Sequence, residues 1–222
     1  LDPSAKTKHR FGIKLSYGDE VSNETYLGQT DADFRTDPYR RYPASALDQM
    51  RNHRTGIVLS HVIDGPESQY KLETKAYRFD YARTWRKINR LGNAGASEVL
   101  QNPDDPTFSG YYGVLTGRLD SSTAANTVWV GPNNRRFVSQ GIQSILTTTT
   151  KTGPIEHRLE AGIRAHYDEL RRLHTEDAFL MQNRALVNAS QPTLTTTNNL
   201  DSTFALATHL TDAMSWRGLT VT

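Results

Sequence analysis

Arginines and aromatic side chains carry most of the chemistry this chain can offer. Arg35, Arg40, Arg41 and Arg51 fall in one polar stretch, and Arg135 and Arg136 stand together near the end of another. A guanidinium is a planar fork of donors that grips a carboxylate through two parallel hydrogen bonds. Tyr39, Tyr42, Tyr111, Tyr112 and Trp129 lie in the same stretches and can supply the walls of a binding site. The plainer reading is that the arginines are solvated or paired with Asp31, Asp33, Asp37 and Asp48, as surface charges mostly are.

Other chemistry is thinly represented. No Gly-x-Ser-x-Gly, phosphate loop, dinucleotide fingerprint or His-Glu-x-x-His motif occurs, and no catalytic residue is nominated. His166 with Asp168, or His174 with Glu176 and Asp177, can be drawn as a metal cluster. Neither spacing guarantees the ligands a closed site needs, so no metal site is expected. Asp104 and Asp105, flanked by Pro103 and Pro106, read as turn residues. The absence of cysteine removes disulfides and thiolate chemistry together. A net charge of +2, with both signs interspersed, is too small to argue for a nucleic-acid or anionic-lipid partner.

The elements that must position these residues read as strands. Only 36% of the 222 residues are hydrophobic, lean for a soluble fold but compatible with a barrel that shows lipid every second residue. No apolar run reaches the roughly 18 residues of a membrane-spanning helix. Alternating segments are expected at residues 10–18, 55–63, 69–85, 137–147, 157–167 and 203–210, with a turn near 211–218 and a seventh strand barely begun. Long polar connections alternate with tight turns such as Asp64-Gly65-Pro66-Glu67 and Thr152-Gly153-Pro154. That rhythm, long on one side and short on the other, is what outer-membrane barrels show. The chain begins at Leu1 without an apolar leader and stops at Thr222 in mid-strand, so it reads as a piece of a longer protein.

Residues 157–167 alternate most cleanly. Leu159, Ala161, Ile163, Ala165 and Tyr167 fall on one face, against Arg158, Glu160, Gly162, Arg164, His166 and Asp168 on the other. A helix is the rival reading, because Leu159, Ile163, His166, Tyr167, Leu170 and Leu173 also repeat at helical spacing. In residues 69–85 the phase is open: Tyr70, Leu72, Thr74 and Ala76 share one parity, whereas Tyr77, Phe79 and Tyr81 fall on the other. Either a bulge shifts the register or the upper aromatics face other loops.

Several stretches, in order along the chain, resemble the TonB-dependent outer-membrane receptors, most of all those of the ferric-citrate or siderophore type. They are Asn23-Glu24-Thr25-Tyr26-Leu27-Gly28-Gln29-Thr30-Asp31-Ala32-Asp33-Phe34 with Asp37-Pro38-Tyr39-Arg40-Arg41-Tyr42; residues 76–85; Val138-Ser139-Gln140-Gly141-Ile142-Gln143; residues 162–169 with His174-Thr175-Glu176-Asp177-Ala178; and Gly218-Leu219-Thr220-Val221-Thr222. Gln29 and Pro43 depart from the pattern. The resemblance implies an all-β antiparallel transmembrane barrel segment over 1–222, six to seven strands of a larger barrel, without the plug and the closing strands. It implies a transporter in the bacterial outer membrane, with outer-membrane lipid as a partner, and no enzyme. A ferric-siderophore or ferric-citrate complex is the transported ligand, no cofactor is bound directly, and the TonB–ExbB–ExbD complex is the partner through the plug. On it, Arg35, Arg40, Arg41, Tyr42, Arg51, Tyr111, Tyr112, Trp129, Arg135 and Arg136 become candidate ligand-binding residues. Arg158, Glu160, Arg164, His166 and Asp168 become lumen-lining. A passive porin-like channel and a soluble β-rich binding module remain as alternatives.

Overall fold

Alternation of apolar and polar residues over long runs, broken at intervals by Gly-Pro and other turn sequences, dictates hairpins, and the computed structural model is a single antiparallel meander. It describes residues 7–222; what was expected of Leu1 lies outside them. Strands β1 (Lys8–Ser22), β2 (Gln49–Asp64), β3 (Tyr70–Leu91), β5 (Val128–Thr152), β6 (Ile155–Gln182), β8 (Leu194–Trp216) and β9 (Leu219–Val221) pair in that order. Two short strands, β4 (Ala94–Gly95) and β7 (Ala185–Asn188), pair with β3 and β6. Among the described residues the sheet is open, with β1 and β9 at its edges.

Strand pairing brings the apolar residues onto one face. One cross-strand row runs Ile13, Leu59, Ala76, Ile142, Ala165 and Leu206 without a break. On this face Phe11, Ile13, Leu15, Phe204 and Leu210 are all exposed, Phe11 to 76% and Leu210 to 77%. So large a continuous apolar surface marks a face that meets lipid or another protein. The opposite face is polar and carries Arg158, Glu160, Arg164, His166 and Asp168 along β6.

The segment that also reads as a helix is strand β6, bonded on both sides, to β5 and to β8. Gly162 at its middle disfavours a helix by about 1 kcal/mol relative to alanine, and pairing on both edges satisfies the backbone instead. The phase question in β3 resolves without a bulge. Its register with β5 is continuous from Tyr70 to Ile88 and slips only beyond, at Asn89. Tyr77, Phe79 and Tyr81 therefore stand on the polar face. Glycines opposite make room: a β-carbon on Gly141 would meet Tyr77 at 2.7 Å, and one on Gly56 would meet the Phe79 ring at 2.5 Å.

Two expectations need correction. The turn expected near 211–218 is confined to Arg217 and Gly218, both at positive φ (50° and 87°); Thr211 to Ser215 still pair with β6. Strands β5, β6 and β8 also run well past their expected ends, because polar residues above the apolar band keep pairing although nothing in their alternation advertises it.

Above the apolar band the connections build a second core. Helices α2 (Ala96–Gln101) and α3 (Ser109–Leu115) form within the long β4–β5 connection, and α1 (Asp31–Thr36) within the β1–β2 connection. Tyr42, Ala44, Val99, Tyr112, Val114 and Leu115 pack there against Ile88, Leu91, Val128, Val130, Phe179 and Met181 of the strands. These loops form a cap whose buried interior is shared with the upper ends of the strands.

Candidate functional site

The cap is pinned at two carboxylates. Asp33 on α1 accepts hydrogen bonds from the hydroxyls of Tyr42 (2.7 Å) and Tyr112, and pairs with Arg40 (2.5 Å). Burial pushes the Asp33 carboxyl up, but the two hydroxyls and the guanidinium outweigh it and hold it below the ordinary range. The same surroundings push the Tyr42 hydroxyl up, burial first and the hydrogen bond to Asp33 second.

Asp48, 2% exposed, accepts from the Thr25 hydroxyl (2.7 Å) and the Ile88 backbone N–H (3.1 Å), tying the first loop to β3. Burial pushes its carboxyl up to about 6, against the pull of Thr25, Arg41, the Ile88 amide and Lys87. The folded cap thus binds this proton more tightly than the unfolded loop does. Cap stability is expected to fall by about 3 kcal/mol as pH rises from about 4 to about 6, and then to level off. Hydrogen exchange at the Ile88 amide, corrected for intrinsic rate, measures that slope. Asp48→Asn should flatten it, and a wild-type profile already flat across this window would refute the assignment.

Several of the candidate residues serve this cap. Tyr42 and Tyr112 are buried struts; Arg40 is held by Asp33, and Arg35 pairs with Asp31 at 2.8 Å. Arg41 donates to the Ser45 carbonyl (3.1 Å) and the Asp48 carbonyl (2.9 Å). Tyr111 packs against the cap core, and Trp129 lies beneath the Arg90 guanidinium at 4.3 Å. Arg51 donates to Gln49 and shares the parity of the apolar face. Arg135 and Arg136, adjacent in sequence, stand on opposite faces, Arg135 on the polar one.

Register assembles around Arg135 a group that loop composition does not single out. Arg83 of β3 lies directly opposite Arg135 of β5, which lies directly opposite Arg172 of β6. Three arginines thus stand side by side across three strands, an arrangement unfavourable unless something neutralises it. Arg172 reaches Asp201 at 3.4 Å, and Asp201 is the acid that pairs with the row among the described residues. The Nε atoms of Arg83 and Arg172 are buried without a partner. Above the row, His174 takes a long hydrogen bond from Arg135 (3.4 Å), and Lys87 sits over the Tyr26 ring (4.2 Å). Burial, then Arg135, Arg172, Lys87 and Arg83, hold His174 below its ordinary value, so it is neutral at pH 7. Burial chiefly lowers Lys87 as well.

Beneath the row lies an aromatic floor. Tyr81 and Phe137 pack together, with centroids 5.7 Å apart, and Tyr77 and Phe79 continue it downward at 5.9 Å. Lower still, Tyr77 bonds to His166 (2.6 Å) and accepts from Arg164 (2.8 Å), while His166 pairs with Asp168 (2.5 Å) and Glu160 with His209 (3.1 Å). The lower residues therefore satisfy one another, whereas the upper row of three arginines has Asp201 as its paired acid. A phase count along β3 and β6, with the β3 aromatics assigned to the polar face, brings out Arg83, Trp85, Lys87, Arg172 and His174. Reading loops alone passes over them.

Among the described residues no cluster of three or more metal-ligating side chains occurs, and no helix is long and apolar enough to cross a membrane, which says nothing of a β-barrel. No protein-family model matches the chain, and no curated protein matches it. Its structure is similar to the crystal structure of the ferric citrate transporter FecA in the unliganded form, with a TM-score of 0.66 and 17% sequence identity. The match covers 96% of this chain and 25% of that one, so the chain spans about a quarter of the length of the protein it resembles. The fold is accordingly that of an antiparallel β-barrel wall, seen here as an unclosed arc.

Proposed function

We propose that this chain supplies wall and outer loops to an outer-membrane receptor that captures an anionic ferric chelate and takes it up with energy delivered through TonB, ExbB and ExbD. The observation that carries the reading is the Arg83–Arg135–Arg172 row above its aromatic floor. Three guanidiniums with one paired acid favour a polycarboxylate ligand, and ferric citrate or a carboxylate siderophore fits that chemistry. The likeness to a ferric citrate transporter supports the same class of cargo. On this reading the apolar face meets lipid, the polar face lines the lumen, and the cap lies outside the cell over the ligand. The protein is a transporter and not an enzyme.

Equilibrium dialysis of radiolabelled ferric citrate and other anionic ferric chelates against the intact detergent-solubilised protein tests the reading. Arg135→Gln combined with Arg172→Gln is expected to weaken binding by about a hundredfold, on the order of tenfold for each charge-assisted hydrogen bond removed. Unchanged affinity in that variant, or no binding of any anionic ferric chelate, would count against it. Uptake that persists after the proton-motive force is collapsed would point to a passive channel.

A further inference from the structure

The apolar face carries a second cationic group. Arg136 of β5 and Arg171 of β6 lie directly opposite one another, and both are exposed. They lie on the parity of Ile142 and Ile163, two rows above Tyr167 and Phe204, with Asp80, Val138, Glu169 and Ser202 in the row between. Two like charges in direct opposition destabilise a strand pair unless a counter-charge joins them. Of the nearby acids on this face, Asp80 pairs with Arg78 at 2.8 Å, and Glu169 accepts from the neutral Tyr167 hydroxyl at 3.0 Å and forms no ion pair with either arginine. Among the described residues neither Arg136 nor Arg171 enters an ion pair.

The surface around them is amphipathic. A groove of about 380 Å³ is lined by both arginines together with Ala82, Thr84, Asn134 and Leu173, and Arg83 and Arg135 of the neighbouring row also reach its edge. Leu200, 62% exposed, stands directly opposite Arg171 on its other side. A pair of guanidiniums flanked by exposed leucines, at the upper limit of an apolar band, matches the level where acyl chains give way to charged headgroups. Charge selects the occupant: two adjacent forks complement the oxygens of a phosphate, and the leucines complement the lipid beneath it.

We propose that Arg136 and Arg171 bind the phosphate of an anionic membrane lipid at this boundary. The proposal rests on the barrel reading above, since it needs the apolar face to meet a bilayer. It gives the two neighbouring pairs of arginines different partners. Arg135 and Arg172 face the cargo, whereas Arg136 and Arg171 face the membrane.

Native mass spectrometry of the intact protein in mild detergent, with phosphatidic acid and phosphatidylcholine added in equal amounts, tests it. The wild type is expected to retain phosphatidic acid at least about tenfold over phosphatidylcholine, and R136Q/R171Q to lose that preference. R136K/R171K, which keeps both charges but loses the planar forks, should retain only part of that preference, between wild type and R136Q/R171Q. Identical lipid selectivity in wild type and R136Q/R171Q, with the β-sheet circular-dichroism signal of both intact, would overturn the proposal and leave the barrel reading standing. A protein that stays dispersed without detergent and retains neither lipid would overturn both.

Discussion

Replacing Glu176 by alanine is expected to loosen the junction between wall and cap by about 3 kcal/mol, the scale for removing one partner of a buried ion pair. Glu176 is 5% exposed and accepts from Arg90 Nε at 2.9 Å and Asn89 Nδ2 at 3.0 Å. Asn89 is the residue at which the β3–β5 register slips, so the carboxylate ties down the one irregularity between those strands. Arg90 in turn covers the Trp129 ring and donates to the Gly92 carbonyl at 2.7 Å, where the long connection begins. Without Glu176 the half-buried guanidinium keeps its ring but loses its counter-charge. Hydrogen exchange at residues 88–92 and 128–130 is the measurement, and Glu176→Gln, which keeps an acceptor, should show roughly half the effect. Protection within about 0.5 kcal/mol of wild type in the alanine variant would mean that the pair holds nothing in place.

The second large effect is expected at Leu115. Its side chain is fully buried at the end of α3, within the cluster that joins the cap to Val128, Val130 and Met181. Leu115→Ala removes that filling and leaves a cavity, at a cost of about 3 kcal/mol. The lower wall lies outside this cluster and is held by continuous strand pairing, so the loss should be confined to the cap and the upper strand ends. Tryptic cleavage at Arg118, which now lies over the Tyr112 ring at 4.9 Å, should accelerate by about a hundredfold while the strands stay resistant. If wall and cap became susceptible together, the two would be a single cooperative unit and the cap would have no stability of its own.

How far the sequence reveals this differs by level. The wall is legible because apolar alternation has a period that pairing preserves: Leu159 to Tyr167 sit on the face their spacing indicates. Where apolar side chains run out, the same strands continue unannounced, as in Leu194–Ser202. The cap is not legible, because its core is drawn from segments distant in sequence and small in apolar content. Tyr42 and Tyr112 read as surfaces for a ligand until packing shows them sharing the Asp33 carboxylate. The Arg135-Arg136 pair makes the sharpest case. Two identical neighbours have opposite surroundings, and only the phase of the whole strand tells them apart.

The meander also constrains how such a wall is made. Every long strand bonds to its neighbour in sequence, so each hairpin can join a growing edge without waiting for remote segments. Closing the connection from Gly92 to Thr127 costs only about 2 kcal/mol more chain entropy than closing the turn from Gly65 to Gln69. Loop length is therefore nearly free with respect to assembly order, and insertions in the cap leave the rate of wall formation almost untouched. What sets that rate is the local hairpin step at Gly65–Gln69, Gly153–Pro154 and Arg217–Gly218.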